Sequence, residues 1–166
     1  INLKEEGEDF YVSRNNAGEW SKSVALGKPI NTIGNEGAHC ISPDGRYLYF
    51  TACERSDGYG SCDIFFSERN GDSWSEPVNL GKTVNSRAWD TQPSISSDGN
   101  TLYFISTRPG GFGKADIWKT TKDKDGYWTA PLNLGATVNT EEDEQSPFIH
   151  PDSKTLYFSS RGHTGM

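Results

Sequence analysis

Carboxylates recur at a fixed interval. Asp44, Asp98 and Asp152 stand 54 residues apart, in the settings Ser-Pro-Asp-Gly, Ser-Ser-Asp-Gly and His-Pro-Asp-Ser. Carboxylate oxygens are the ligands that calcium takes. Each of these residues also sits among turn formers, where a short acid accepts hydrogen bonds from nearby backbone amides. That turn role is the expected one. Asp63 and Asp116 open strands after Gly-rich loops, and they are expected to satisfy loop amides in the same way. The run Glu141-Glu142-Asp143-Glu144 offers four more acids, but its spacing matches no calcium-loop motif, so a solvated loop is expected there. No metal and no cofactor is assigned.

Nucleophilic and acid–base chemistry is no better supported. His39, His150 and His163 are scattered, no Ser/His/Asp or Cys/His arrangement is legible, and no catalytic residue is assigned. Gly58–Gly60 and Pro109–Gly113 lack the Lys-Ser/Thr ending and following helix of a phosphate-binding loop, so they read as hairpin connections. There are three cysteines, none in a C-x-x-C pattern, so at most one intrachain pair can form. Cys53 and Cys62 flank a short loop between neighbouring antiparallel strands, which makes them the disulfide candidate. Cys40 is expected to be a buried free thiol.

The elements that must position these residues repeat. Leu48-Tyr49-Phe50 returns as Leu102-Tyr103-Phe104 and Leu156-Tyr157-Phe158. Trp20, Trp74 and Trp128 keep the same step, as do Leu26-Gly27, Leu80-Gly81 and Leu134-Gly135, and Asn31, Asn85 and Asn139. Within one copy the pattern predicts strands at Gln92–Ser96, Thr101–Thr107, Ala115–Thr121 and Tyr127–Leu132, joined by Asp/Gly turns and a Gly-rich loop. No segment has a helical period. Four antiparallel strands in a repeat of about 50 residues define a propeller blade. The expected fold is therefore all-β, a β-propeller of four-stranded antiparallel blades with only about three repeats present. The expected units are the end of one blade at 1–37, complete blades at 38–91 and 92–145, and the start of another at 146–166. The chain opens and closes inside the pattern, and a propeller closes on itself with four to eight blades, so a piece of a larger propeller is expected.

Composition agrees. There are 18 Gly, 8 Pro and 20 aromatic residues (5 Trp, 7 Tyr, 8 Phe), a mixture that favours strands and tight turns. A net charge of −7 disfavours phosphate backbones, so no nucleic-acid partner is expected. No apolar run approaches the ~20 residues of a membrane span.

Ser42-Pro43-Asp44-Gly45-Arg46-Tyr47-Leu48-Tyr49-Phe50 resembles the Pro-Asp, WD-like repeat of TolB-type propellers. Arg108-Pro109-Gly110-Gly111-Phe112-Gly113, Asp116-Ile117-Trp118, Trp128, Pro131, Asn133-Leu134-Gly135 and Val138-Asn139 are similar to the propeller of OmpA-family envelope proteins of Bacteroidota. Thr51-Ala52-Cys53 and Asp57–Ile64 look like the same group, so the resemblance covers essentially the whole chain. One member type is the peptidoglycan-tethered periplasmic lipoprotein of type IX secretion. The resemblance implies a non-catalytic scaffold of the periplasm, associated with the outer membrane. Its implied partners are other envelope proteins, with peptidoglycan reached through a domain outside this sequence. Two departures stand out: Pro151-Asp152-Ser153 lacks the turn glycine, and Glu54–Ser61 lacks the Gly-Gly pair.

Positions that vary between copies are free to specialise. The loops joining second and third strands and the linkers joining blades are expected on one face of the disc, where binding concentrates. Trp89 has no aromatic counterpart, Asn35 and Asp143 holding the matching positions. Arg55, Tyr59, Arg87, Trp89, Arg108 and Phe112 form the candidate recognition surface, a composition suited to protein interfaces. Two alternatives remain open. Exposed aromatics could stack on carbohydrate or peptidoglycan, or the blades could belong to a hydrolase or lyase whose catalytic residues are not legible.

Overall fold

The computed structural model describes residues 7–165, and these form strands, turns and loops without a helix. The first unit contains β1 (Tyr11–Val12), β2 (Asn15–Asn16), β3 (Glu19–Trp20) and β4 (Val24–Ala25). The second contains β5 (Asn35–Ile41), β6 (Tyr47–Cys53), β7 (Cys62–Asn70), β8 (Ser73–Trp74) and β9 (Val78–Asn79). The third contains β10 (Asp90–Ile95), β11 (Thr101–Ser106), β12 (Asp116–Thr121) and β13 (Leu132–Asn133). The fourth contains β14 (Glu144–Ile149) and β15 (Leu156–Ser160). Among the described residues the strands pair antiparallel, β1 with β4 around the β2–β3 hairpin and most others with their sequence neighbours. The second sheet runs β5-β6-β7-β8, with β9 also on β7, and the third runs β10-β11-β12-β13. The fold is all-β and propeller-like, and its sheets do not close into a ring.

Period-2 alternation decides where the core lies, because successive residues of a strand face opposite sides. Leu48, Phe50 and Ala52 of β6 turn to one side and join Ile30 and Phe65, with Phe10, Leu26 and Trp74 packed against them. Tyr49 turns to the other side and joins Ile64, Val84, Ile95, Leu102, Phe104 and Trp118. A third cluster, Ile105, Ala115 and Ile117, packs with Tyr103, Leu156 and Phe158 toward the fourth unit. The second and third sheets thus each feed two inter-unit cores, which explains why β6 is buried along almost its whole length. Trp74 and Trp128 pack against these clusters, whereas Trp20, at the matching repeat position, is exposed.

Two expected boundaries move. The predicted fourth strand, Tyr127–Leu132, is broken: Trp128 makes a lone bridge to Lys122, and only Leu132–Asn133 pairs with β12. Pro131 has no N–H to give the ladder, and Pro77 separates β8 from β9 in the same way. The first strands begin at Asn35, Asp90 and Glu144, ahead of the expected 38, 92 and 146. Ala38, Gln92 and Ser146 are themselves bulge residues with φ of 42°, 53° and 54°. Each shifts the pairing register in mid-strand.

Each interblade linker is tied back to the unit it leaves. The Asn85 amide donates to the Ile64 carbonyl at 2.9 Å and its Oδ1 accepts the Ile64 N–H at 2.9 Å. Asn139 grips Ile117, and Asn31 grips Phe10, in the same way. The side-chain amide imitates a strand partner and satisfies backbone groups that would otherwise be buried without one.

Candidate functional site: the loop face

β6 and β11 run from a tight turn at one end to a Gly-rich loop at the other, so the two ends of the sheets differ in character. At the turn end, Asp44 accepts from Ser42 Oγ at 2.5 Å and from Arg46 N at 3.0 Å. Asp98 repeats this with Ser96 Oγ and Asn100 N. Asp152 accepts from Lys154 N, Thr155 N and Thr155 Oγ1. Hydrogen bonds to the ionised form hold all three carboxyls below their ordinary value, Asp152 at about 2. Ser153, at φ 56°, occupies the left-handed position that Gly45 and Gly99 fill in the other turns.

At the loop end, Asp63 accepts from the backbone N–H of Tyr59 and Gly60 and from Asn79 Nδ2. Asp116 accepts from the N–H of Phe112 and Gly113 and from Asn133 Nδ2. Asn79 and Asn133 pass the network on to Asn85 and Asn139. Each loop is therefore anchored through the backbone of the residue whose ring it displays. Tyr59 and Phe112 occupy matching positions and are 41% and 52% exposed. Gly60 and Gly113 lie so close to the following linker that a Cβ would meet a carbonyl oxygen at 2.1 and 2.2 Å. Loops and linkers share one face: Cys62 bridges Trp89, Ala115 bridges Asp143, and Lys114 pairs with Glu142. The Cys53–Cys62 disulfide closes the base of the 54–61 loop. Cys40 is free and half-buried, and burial raises its thiol to about 12.

The six candidate recognition residues divide. Arg87 is exposed beside the linker, and Lys82 Nζ stands 5.4 Å from the Tyr59 ring. Trp89 is half-buried, packed against the Ile105 cluster with its backbone paired to Thr107. Arg55 bonds Asp57 at 2.9 Å and lies over the Phe65 ring. It also lines a cleft of about 560 Å³ with Thr32, Ile33 and Asp57. Arg108 does not belong to the surface. Its guanidinium bonds Asp90 Oδ1 at 2.6 Å, Ser106 Oγ at 2.8 Å and the Val84 carbonyl at 2.7 Å, and it lies over Phe104 and Trp118. Its side chain is 12% exposed and Asp90 is fully buried, so Arg108 is a core group of the inter-unit seam.

The acidic run is dispersed in use. Glu142 meets Lys114, Asp143 meets Arg161, and Glu144 accepts from Thr140 and Ser160. Glu36, Asp90 and Glu144 form a further repeated set of buried acids, each accepting both the N–H and the hydroxyl of a Thr or Ser four residues earlier. Their 54-residue step, with Thr32, Ser86 and Thr140 in phase, is the sequence signal that marks them. Among the described residues, no three His, Cys, Asp or Glu side chains are grouped to hold a metal ion.

No family model and no curated protein matches this chain. Solved structures do. A TolB-type protein from Agrobacterium tumefaciens superposes with a TM-score of 0.58 at 18% identity, over 89% of this chain and 48% of its own. TolB from Acinetobacter baumannii gives 0.54 at 15% identity, over 84% and 29%. The Hadza microbial sialidase Hz136 gives 0.53 at 14% identity, over 91% and 35%. The chain spans about half or less of the length of these proteins. At such identities the likeness shows the fold alone: the chain has a β-propeller-like fold, common to these TolB proteins and the sialidase.

Proposed function

We propose that this chain is a non-catalytic protein-interaction module of a bacterial envelope protein, working in the periplasm and recognising its partner through the loop face. The observation that carries the reading is the paired display of Tyr59 and Phe112. Both are solvent-exposed, and both loops are pre-ordered by a buried Asp–Asn network that fixes the backbone of the ring-bearing residue. Pre-ordering lowers the entropic cost of binding, and large aromatics beside cations are the residues that carry interfaces. Arg87 and Lys82 supply exposed cations, and Arg55 and Trp89, both half-buried, border them on the same face. Ile33, 89% exposed, extends the apolar surface. The Cys53–Cys62 disulfide supports an oxidising compartment. Attachment to the outer membrane, a link to peptidoglycan through a further domain, and a place in type IX secretion are the finer form of the proposal. They rest on the sequence resemblance. Capture from native envelope extract tests the reading. Specific proteins retained by the chain should be lost on a Tyr59→Ala, Phe112→Ala variant of unchanged thermal stability. Retention of glycan without protein, or equal retention by both baits, would sink it.

A further inference from the structure

A groove runs between the second and third units on the turn side of the strands, and it reaches Leu80 and Thr83 of the interblade linker. Its apolar part is a cleft of about 360 Å³ walled by Tyr47, Tyr49, Phe66 and Trp128, with Tyr127 at its edge. A cleft of about 200 Å³ continues from Tyr47, Tyr49 and Lys122 past Asp44, Ser97, Asp98 and Asn100. One end is thus built of rings, and the other of hydroxyl, carboxylate and amide groups.

Comparison of the chain with itself separates what the blade requires from what this groove adds. Tyr49 and Trp128 are repeat residues, matched by Tyr103 and Tyr157 and by Trp20 and Trp74. Tyr47, Phe66 and Tyr127 are not. Thr101 and Thr155 stand where Tyr47 does, Val12 and Lys119 where Phe66 does, and Glu19 and Ser73 where Tyr127 does. Although Tyr47 and Phe66 here also pack against the Tyr49–Trp118 core, the other sheets form without these three rings. They come from separate strands and turns of two units, yet they meet in one groove. Tyr127 is 73% exposed, so packing gives little reason for its size. Lys122 Nζ lies 5.0 Å from the Trp128 ring and makes no ion pair among the described residues.

We propose that this groove binds a saccharide whose sugar residue carries a carboxylate. A pyranose presents a flat C–H face and a rim of hydroxyls. Ring faces take the first, and a dense set of hydrogen-bonding side chains takes the second. A wholly apolar ligand would make no use of the polar Asp98–Asn100 end. A small inorganic anion would leave the rings unused. An extended peptide is read chiefly through main-chain bonds at a strand edge, whereas these walls are side chains. The uncommitted Lys122 ammonium selects the carboxylate, and the Asp44 and Asp98 carboxylates accept sugar hydroxyls. A cleft of a few hundred Å³ falls at the small end of ligand sites.

The test is an amide NMR titration of the 166-residue chain with methyl glucuronide and methyl glucoside, which differ in a carboxylate against a hydroxymethyl group. Shifts are expected at residues 42–49, 97–100 and 120–128, with the glucuronide about threefold tighter. Tyr127→Ala should weaken glucuronide binding about fivefold. Lys122→Gln should abolish the preference between the sugars. Tyr127 is exposed, and Lys122 is half-buried with no ion pair among the described residues, so both variants should retain the fold. No shift in the groove, equal binding of the two sugars, or binding untouched by both variants overturns the proposal.

Discussion

Arg108 shows how a charged side chain can be architectural in a seam between repeats. Its guanidinium neutralises the buried Asp90, whose other oxygen holds Ser86 N and Oγ. Removing one member of a buried pair leaves the other charged and uncompensated, which costs about 3–5 kcal/mol. The bonds from Ser86 remain to Asp90, so the lower end applies. Arg108→Ala should destabilise the chain by about 3 kcal/mol and lower Tm by roughly 6–12 °C in a thermal scan. Arg87→Ala, on the open surface, should leave Tm nearly unchanged. A Tm loss no larger for Arg108→Ala than for Arg87→Ala would contradict the burial of this pair. The sequence could not reveal this role. An Arg beside a Gly-rich loop reads as surface, and its partner Asp90 is brought to it by an interblade linker that no local pattern describes. The repeated acids at 36, 90 and 144 were open to detection, because their phase equals that of the tryptophans.

Turns and strands were largely legible because the repeat prints each one several times. The Asp-led turns follow from local chemistry, and Asp44, Asp98 and Asp152 bind the amides and hydroxyls their positions imply. What failed was geometry set by single residues. Pro77 and Pro131 split the outermost strand, and bulges at Ala38, Gln92 and Ser146 lie inside strands expected to begin there. A bulge residue at positive φ reads as a strand boundary, although pairing continues on both sides of it. The turns also carry a pH dependence. Their carboxyls are held below the ordinary value of 3.8, so their stabilisation is complete above about pH 4 and fades as pH falls through the folded values, about 2 for Asp152. Tm should therefore decline from pH 4 to pH 2. Carboxyl NMR titration should find these three groups ionised below the range of free aspartate. Titration of all three at the free value would remove the turn bonds from the account.

At the scale of the molecule, a uniform interior supports an uneven surface. Alternate residues of the second and third sheets enter two inter-unit cores, and Asn31, Asn85 and Asn139 tie each interblade linker to the unit it leaves with the same pair of bonds. This repetition frees the loops to differ, and the resemblance to TolB-type propellers extends to the scaffold alone. Recognition by the loop face is the central claim. It is tested most directly by hydrogen–deuterium exchange of the chain, alone and with a protein it retains. The account predicts slowed exchange at 54–61, 81–89 and 108–114 on binding, with the turns at 42–46 and 97–100 unchanged. Protection of those turns with the three loops unaffected would contradict it.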